Sequence, residues 1–278
     1  MGKLYIVATP IGNMEDITLR AIRILKEVDL IICENVSVSH RLLKHYDINT
    51  PTTNYYSHTS INKTHELLDM LVKGKSIAMI SDAGTPCISD PGFVFNDIVG
   101  KYNENTKSLN ARIDLEEGYV IGEEDKHPYG LIEIIPIPGA TAITALYSIA
   151  NVSGNRFSFY GFVPHKNGRQ TFIKSILQNT QAEDIPIIFY ESVHRFEKLL
   201  EQIELEIELL SKNTLQDEHN SNKNNSLTLD KYKFTVGREL TKIHEQVITG
   251  NVREVKEYFA NNKDKIRGEF VIMLQYVN

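Results

Sequence analysis

Along the first half of the chain, short runs of consecutive apolar residues alternate with stretches in which apolar positions recur every three or four residues. The first pattern belongs to buried strands and the second to amphipathic helices. "KLYIVA" (3–8) reads as a strand, and "TLRAIRILKEV" (18–28) puts Leu19, Ile22, Leu25 and Val28 on one helical face behind Thr18 as N-cap. "DLIIC" (29–33) is the next strand, "SVSHRLLKHY" (37–46) a helix, and "SINKTHELLDMLVKG" (60–74) a helix capped by Ser60 and stopped by Gly74. The strand "SIAMI" (76–80) then runs into "SDAGTPCISDPG" (81–92), a loop much longer than simple chain reversal requires.

Beyond Gly92 the period weakens, and residues 101–130 are polar and charged without a repeat, which predicts an insertion or mobile flap. Order returns with "LIEIIPIPGATAITALYSIA" (131–150), read as a strand, a Pro-Gly turn and an Ala-rich helix. A boundary is expected near "NVSGNR" (151–156). After it come strands at 156–162 and 185–190, helices at 167–178 and 192–203, a disordered Asn-rich loop at 209–230, and a central strand "GEFVIMLQYV" (268–277). Closely alternating strands and helices define an α/β protein, and 278 residues suit two lobes, here 1–150 and 151–278.

The net charge of −6, from 30 basic and 36 acidic side chains, provides no global basic field for holding RNA by its phosphates. An RNA contact would then be local, or made on a preassembled particle. Two cysteines, Cys33 and Cys87, with no CxxC, point to a reducing cytoplasm and away from a disulfide framework. The histidines form no HxxxH or HExxH pair, so no metal is expected, and no run reaches the ~20 apolar residues of a membrane helix.

Strand ends carry the candidate chemistry: "TPIGNMED" (9–16), the loop 81–92, "PIPGATA" (136–142), "YESVHR" (190–195) and "VGREL" (236–240). In open α/β sheets, ligands bind beyond the carboxyl ends of the strands. None of these loops is a P-loop or a GxGxxG fingerprint, which disfavours a nucleoside triphosphate or a dinucleotide. Small residues beside a carboxylate such as Asp82 suit a ligand with a base, a ribose and a positive charge.

Six segments, "LYIVATPIGNMEDITLRAIRILKEVDLIICEN", "SDAGTPCISDPG", "IPIPGATA", "FYESVHR", "GRELTKIHE" and "GEFVI", occur in an order and spacing that resemble the bacterial 16S ribosomal RNA cytidine 2'-O-methyltransferases, within the tetrapyrrole-methylase superfamily. The resemblance covers the chain apart from its two polar insertions. It implies two αβα lobes with a cofactor cleft between them (a class III methyltransferase), S-adenosylmethionine as donor, 16S rRNA in the small ribosomal subunit as partner, and a homodimer. By position it also implies that Ile11, Asp82, Ala83, Gly84, Thr85, Thr141, Ala142, Tyr190, Gly237 and Arg238 bind the donor. Pro10 and Asn13 of the first loop, with Lys166 and Arg169 of "GFVPHKNGR" (161–169), would face the RNA.

A ribose hydroxyl is a weak nucleophile, so a proton acceptor is expected, with Asp16, Glu34 and Glu191 as candidates. Each has a structural alternative: helix capping for Asp16, salt bridges for Glu34 and Glu191, the latter with Arg195 at helical spacing. The sequence departs from the family at "ENVS" (34–37), where "EDTR" is usual, so an acid and an arginine are missing. Two alternatives stay open: another acceptor, such as a tetrapyrrole or a translation factor, and a donor-binding ribosome-assembly factor without catalysis.

Overall fold

A computed structural model describes residues 1–56, 58–90, 92–107, 130–152, 154–216 and 229–277. The chain divides into two units, Met1–Thr141 and Ala142–Asn278.

In the first unit, strands β1 (Lys3–Val7), β2 (Leu30–Cys33), β3 (Thr52–Asn54), β4 (Ser76–Ile80) and β5 (Glu133–Ile137) form a parallel sheet in the order β3-β2-β4-β1-β5. Side chains alternate between its faces. Val7, Ile31, Cys33, Ala78 and Ile80 pack with Ala21, Ile24 and Leu25 of α1 (Leu19–Glu27) and with Leu42 and Leu43 of α2 (Val36–His45). Leu4, Ile32, Ile77 and Met79 turn the other way, onto Leu67, Leu68 and Leu71 of α3 (Ile61–Val72) and Phe95, Val99 and Tyr102 of α4 (Gly92–Lys107). The result is a three-layer unit whose strands all end at one edge. Local signals agree: Thr18 Oγ1 accepts the Ala21 N–H at 3.0 Å, Ser60 Oγ accepts the Lys63 N–H at 3.3 Å, and Gly74 takes the left-handed conformation (φ +87°) that releases α3.

Two elements depart from the sequence reading. Helix α4 continues to Lys107, into the segment read as an insertion from 101. Its buried stripe Phe95, Val99, Tyr102 has helical spacing, but Gly92, Gly100 and the polar tail masked it. Strand β3, three residues long, is too short to give a period. The remainder of the expected flap, 108–129, lies outside the described residues. The chain enters that segment at the end of α4 and leaves it just before β5 begins, at the sheet edge opposite the strand C-termini.

The second unit opens with α5 (Ala142–Ile149), a helix the sequence reading had grouped with the first lobe. Strands β6 (Ser158–Phe162), β7 (Ile187–Ser192), β8 (Tyr232–Arg238), β9 (Gln246–Gly250) and β10 (Glu269–Tyr276) form a mixed sheet ordered β6-β7-β10-β8-β9. Helices α6 (Arg169–Glu183), α7 (Val193–Gln216) and α8 (Val252–Asn261) share one core with it, including Ile173, Leu177, Phe196, Leu200, Phe234, Val255, Phe259 and Ile272. Helix α7 runs past the expected end at 203, so 209–216 is helical, and 217–228 of the expected loop lies outside the described residues. Because β7 and β8 are each antiparallel to β10, they point the same way. Their ends align in rows, Glu191–Phe270–Arg238 and Tyr190–Val271–Gly237, so three of the sequence motifs meet at one edge.

Candidate active site

In the first unit, three loops at the strand C-termini are joined by hydrogen bonds. After β1, Thr9 donates its N–H to the Gly84 carbonyl at 2.9 Å and its hydroxyl to the Ser81 and Gly84 carbonyls at 3.3 Å each. Ser81 Oγ donates to the carbonyls of Ala83 and Gly84, and Thr85 Oγ1 to that of Ala140 at 3.1 Å. Gly84 sits at φ +81°, where an added Cβ would meet Ile11 Cγ2 at 3.2 Å. At Gly139 a Cβ would lie 2.8 Å from the Ala8 Cβ, so the close approach of the first and third loops needs glycine. Cys87 also has positive φ (+69°), with its N–H held by Asp90 Oδ1 at 3.1 Å. Its half-buried thiol is pushed up to about 11 by burial and by Asp90, which leaves it unreactive.

Carboxylates gather beside these loops. Asp82 accepts the Asn35 N–H at 3.2 Å, and burial raises its pKa despite that bond. Glu34 is raised by burial first and then by the charges of Asp82 and Asp90. Glu34 and Asp90 also line a shallow recess with Ile32, Cys33, Tyr55, Met79 and Ile80. A site built this way favours a cation. Among the described residues no group of three metal-binding side chains is present.

The "ENVS" segment keeps the helix start in order. Asn35 Oδ1 caps α2 by accepting the Ser37 N–H at 3.0 Å, and the Val36 N–H donates to Asn54 Oδ1 at 2.9 Å. Asn35 thus caps α2 without bringing a negative charge to the helix start.

The second unit brings Tyr190 and Gly237 into one row, where a Cβ on Gly237 would press Leu146, Val271 and Leu240 at 3.0–3.1 Å. Tyr190 packs edge-on against Phe159, and its hydroxyl is pushed up to about 12 by burial and then by Glu269. Other candidates take a different role from the one their sequence position suggested. Arg169 is no solvated RNA-facing residue: it is buried, with bonds to Glu191, Gln202 and the Pro164 carbonyl. Glu191 has a fully buried side chain carrying two ion pairs, to Arg169 at 2.7 Å and Arg195 at 2.6 Å, so it is not available as a base. The Arg238 guanidinium is spent on the carbonyls of Arg267 and His244 and on Gln246 Oε1.

The remaining candidates differ in exposure. Asp16 is exposed in a 3-10 turn whose start Asn13 caps, accepting the Glu15 N–H at 3.1 Å. Pro10 is half-buried, Ile11 buried, and Lys166 exposed. Thr141 closes the first unit and Ala142 opens α5. Sequence reasoning missed Thr9, Ser81 and Asn35 as the groups that join the loops. For Thr9 and Ser81 the signal was a hydroxyl residue closing an apolar strand, whereas Asn35 bonds Asp82 through its main-chain N–H, which no side-chain pattern marks.

The fold has counterparts among solved structures: the methyltransferase CobJ (TM-score 0.61, 14% identity, covering 100% of this chain and 95% of that one) and the cobalamin synthesis related protein CobF of Corynebacterium diphtheriae (TM-score 0.56, 14%, covering 100% of each). Residues 3–104 match the tetrapyrrole (corrin/porphyrin) methylases. Fold and strand-end loops thus define a protein of tetrapyrrole-methylase architecture. Within that class, the chain is 36% identical over 274 residues to ribosomal RNA small subunit methyltransferase I of Synechocystis sp., covering 99% of this chain and 79% of the relative. The protein of the same name from Borrelia garinii is 35% identical over 271 residues, covering 98% and 97%, and that of Thermotoga maritima 32% identical over 274 residues, covering 99% and 98%. The chain belongs to the ribosomal RNA small subunit methyltransferase I family.

Proposed function

We propose that this protein transfers the methyl group of S-adenosylmethionine to small-subunit ribosomal RNA, at the ribose 2'-hydroxyl of a decoding-centre cytidine, acting as a cytoplasmic homodimer on the assembled subunit. The observation that carries the reading is the loop cluster of the first unit. Three strand ends are joined through Thr9, Ser81 and Thr85 beside Asp82 and Glu34, and neither carboxylate forms an ion pair among the described residues.

The donor supplies a methyl group on a positively charged sulfur that departs as a neutral thioether. The chain's part is binding and orientation, which can account for most of such a rate enhancement. Asp82 provides the negative charge, while Ile11, Ala83, Gly84, Thr85 and Thr141 provide a compact wall of small side chains and main chain. The motif order supports Ala142, Tyr190, Gly237 and the main chain of Arg238 as further donor-binding residues. Glu34 takes the hydroxyl proton in this scheme, ahead of Asp16, because burial and two neighbouring negative charges raise its proton affinity. The names of the relatives and the order of the motifs support RNA as acceptor, with Pro10, Asn13 and Lys166 contacting it. The net charge of −6 favours a preassembled particle over free RNA.

The test is transfer of labelled methyl from S-adenosylmethionine to small subunits from a strain lacking this protein, with Asp82→Ala alongside. Label on the ribose of a decoding-centre cytidine, lost in the variant, is expected. Donor binding without label on subunits would overturn the assignment.

A further inference from the structure

At the end of β7, Glu191 Oε2 accepts from Arg169 Nη1 at 2.7 Å, while its Oε1 lies 2.6 Å from Arg195 Nη2 and accepts the Ser192 N–H at 2.7 Å. The Glu191 side chain has no exposed surface and that of Arg169 is 8% exposed. Enclosing an anion between two cations contributes little net stability, since apolar groups of similar volume commonly do as well or better. Geometry is what such a network fixes.

The geometry fixed here belongs to the strap 163–168. At its start, buried Val163 donates its N–H to the Tyr190 carbonyl at 3.0 Å. At its end, Gly168 adopts φ +80° and leads into Arg169, which holds both Glu191 and the Pro164 carbonyl, the latter at 3.2 Å. Both pins therefore act on adjacent residues of one strand. His165, Lys166 and Asn167 are exposed between them. A second stitch, Gln170 Nε2 to buried Glu206 at 2.7 Å, ties the first turn of α6 to α7 and leaves the strap little freedom.

We propose that Glu191 is a positioning residue for substrate: through Arg169 it sets where the strap presents Lys166 to the phosphate backbone of the RNA. The proposal rests on the RNA reading above and adds a long-range dependence to it. Lys166 is useful only while the Glu191 network holds its strap.

A double-mutant cycle tests it on the full chain, with wild type, Glu191→Gln, Lys166→Ala and the double variant. The readouts are kcat and KM for small subunits at saturating donor, direct subunit binding, calorimetric affinity for S-adenosylhomocysteine, and melting temperature. Glu191→Gln is expected to raise KM a few-fold, about as much as Lys166→Ala does, with kcat within about twofold and the S-adenosylhomocysteine affinity unchanged, so that the coupling equals the Lys166 effect itself. Lys166→Ala should raise KM a few-fold in the wild-type background and leave it unchanged in the Glu191→Gln background. Additive KM effects, or a Glu191→Gln effect confined to melting temperature or active fraction, overturn the proposal. If Glu191→Gln does not fold, Arg195→Lys, at the partly exposed side of the network, enters the same cycle. A wild-type chain that neither binds nor methylates subunits overturns the RNA reading and this proposal together. A wild type that does both while the cycle is additive overturns this proposal alone.

Discussion

Four carboxylates follow or close strands in comparable backbone positions: Glu34 and Asp82 in the first unit, Glu191 and Glu239 in the second. The first pair has raised pKa values, with burial as the leading cause, and neither makes an ion pair among the described residues. In the second pair, Glu191 is enclosed by Arg169 and Arg195. Glu239, pulled up by its burial, still ends below its ordinary value because Lys242 and the Glu269 N–H hydrogen-bond to it. The same residue type at the end of a strand is thus a vacant charge in one unit and a structural knot in the other. What decides is whether an arginine or lysine lies within reach, and sequence position alone does not show that.

The sharpest way to break this contrast is to truncate one carboxylate from each unit. Glu191→Ala leaves two guanidinium groups facing a buried gap and should cost about 3–5 kcal/mol of stability, read from chemical denaturation. Asp82→Ala should leave melting almost unchanged and weaken S-adenosylmethionine binding by about 2 kcal/mol, read by calorimetry. A stability loss at Asp82, or none at Glu191, would erase the distinction. Gly139→Ala, whose new methyl must displace Ala8, should cost about 1–2 kcal/mol and reduce donor affinity as the loops part.

A pH profile sharpens the contrast further. If the Glu34 anion takes the hydroxyl proton, kcat/KM climbs with pH through a midpoint raised from the ordinary glutamate value. Removing a neighbouring negative charge by Asp90→Asn eases ionisation of Glu34, so that midpoint should move to lower pH. An unmoved midpoint would rule out Glu34 as the titrating base. The smallest expected effect lies far from the site, where hydrogen bonds from Lys75 and Ser76 lower Asp29 to about 2. A depressed carboxylate stabilises the fold above its unfolded value and loses that contribution as pH falls toward the folded one. Lys75→Met should therefore cost under about 1 kcal/mol near neutral pH, a cost that shrinks as pH falls from about 4 and disappears only below pH ~2, as followed by melts across that range.

How far the sequence could be read follows from what each residue depends on. Strands β1, β2 and β4 and helices α1 to α3 were legible because their periods are long and their caps, Thr18 and Ser60, act within three residues. The far halves of α4 and α7 were not, because polar Asn, Lys and Glu residues outweigh the few buried positions that make them helical. In the candidate site, Gly84 could be singled out from its company of small residues, and its positive φ follows from that setting. Arg169 and Glu191 looked like RNA-facing and catalytic groups because their pairing, across 22 positions of sequence, arises only once β7 and α6 have packed.

The attachment points of the segment 108–129 carry one more consequence. A chain connection can be lengthened at a cost of roughly 0.6 kcal/mol per doubling, provided its ends stay where they are. Lys107 and Gly130 hold those ends at the edge of the first sheet remote from Thr9, Gly84 and Ala140. One residue added between Ser81 and Thr85 would break several bonds at once, whereas a change of length placed after Lys107 starts at the edge remote from the three loops. For the engineer, the same asymmetry makes the 108–129 connection the place to insert a tag or reporter domain. The opposite edge admits no change of length.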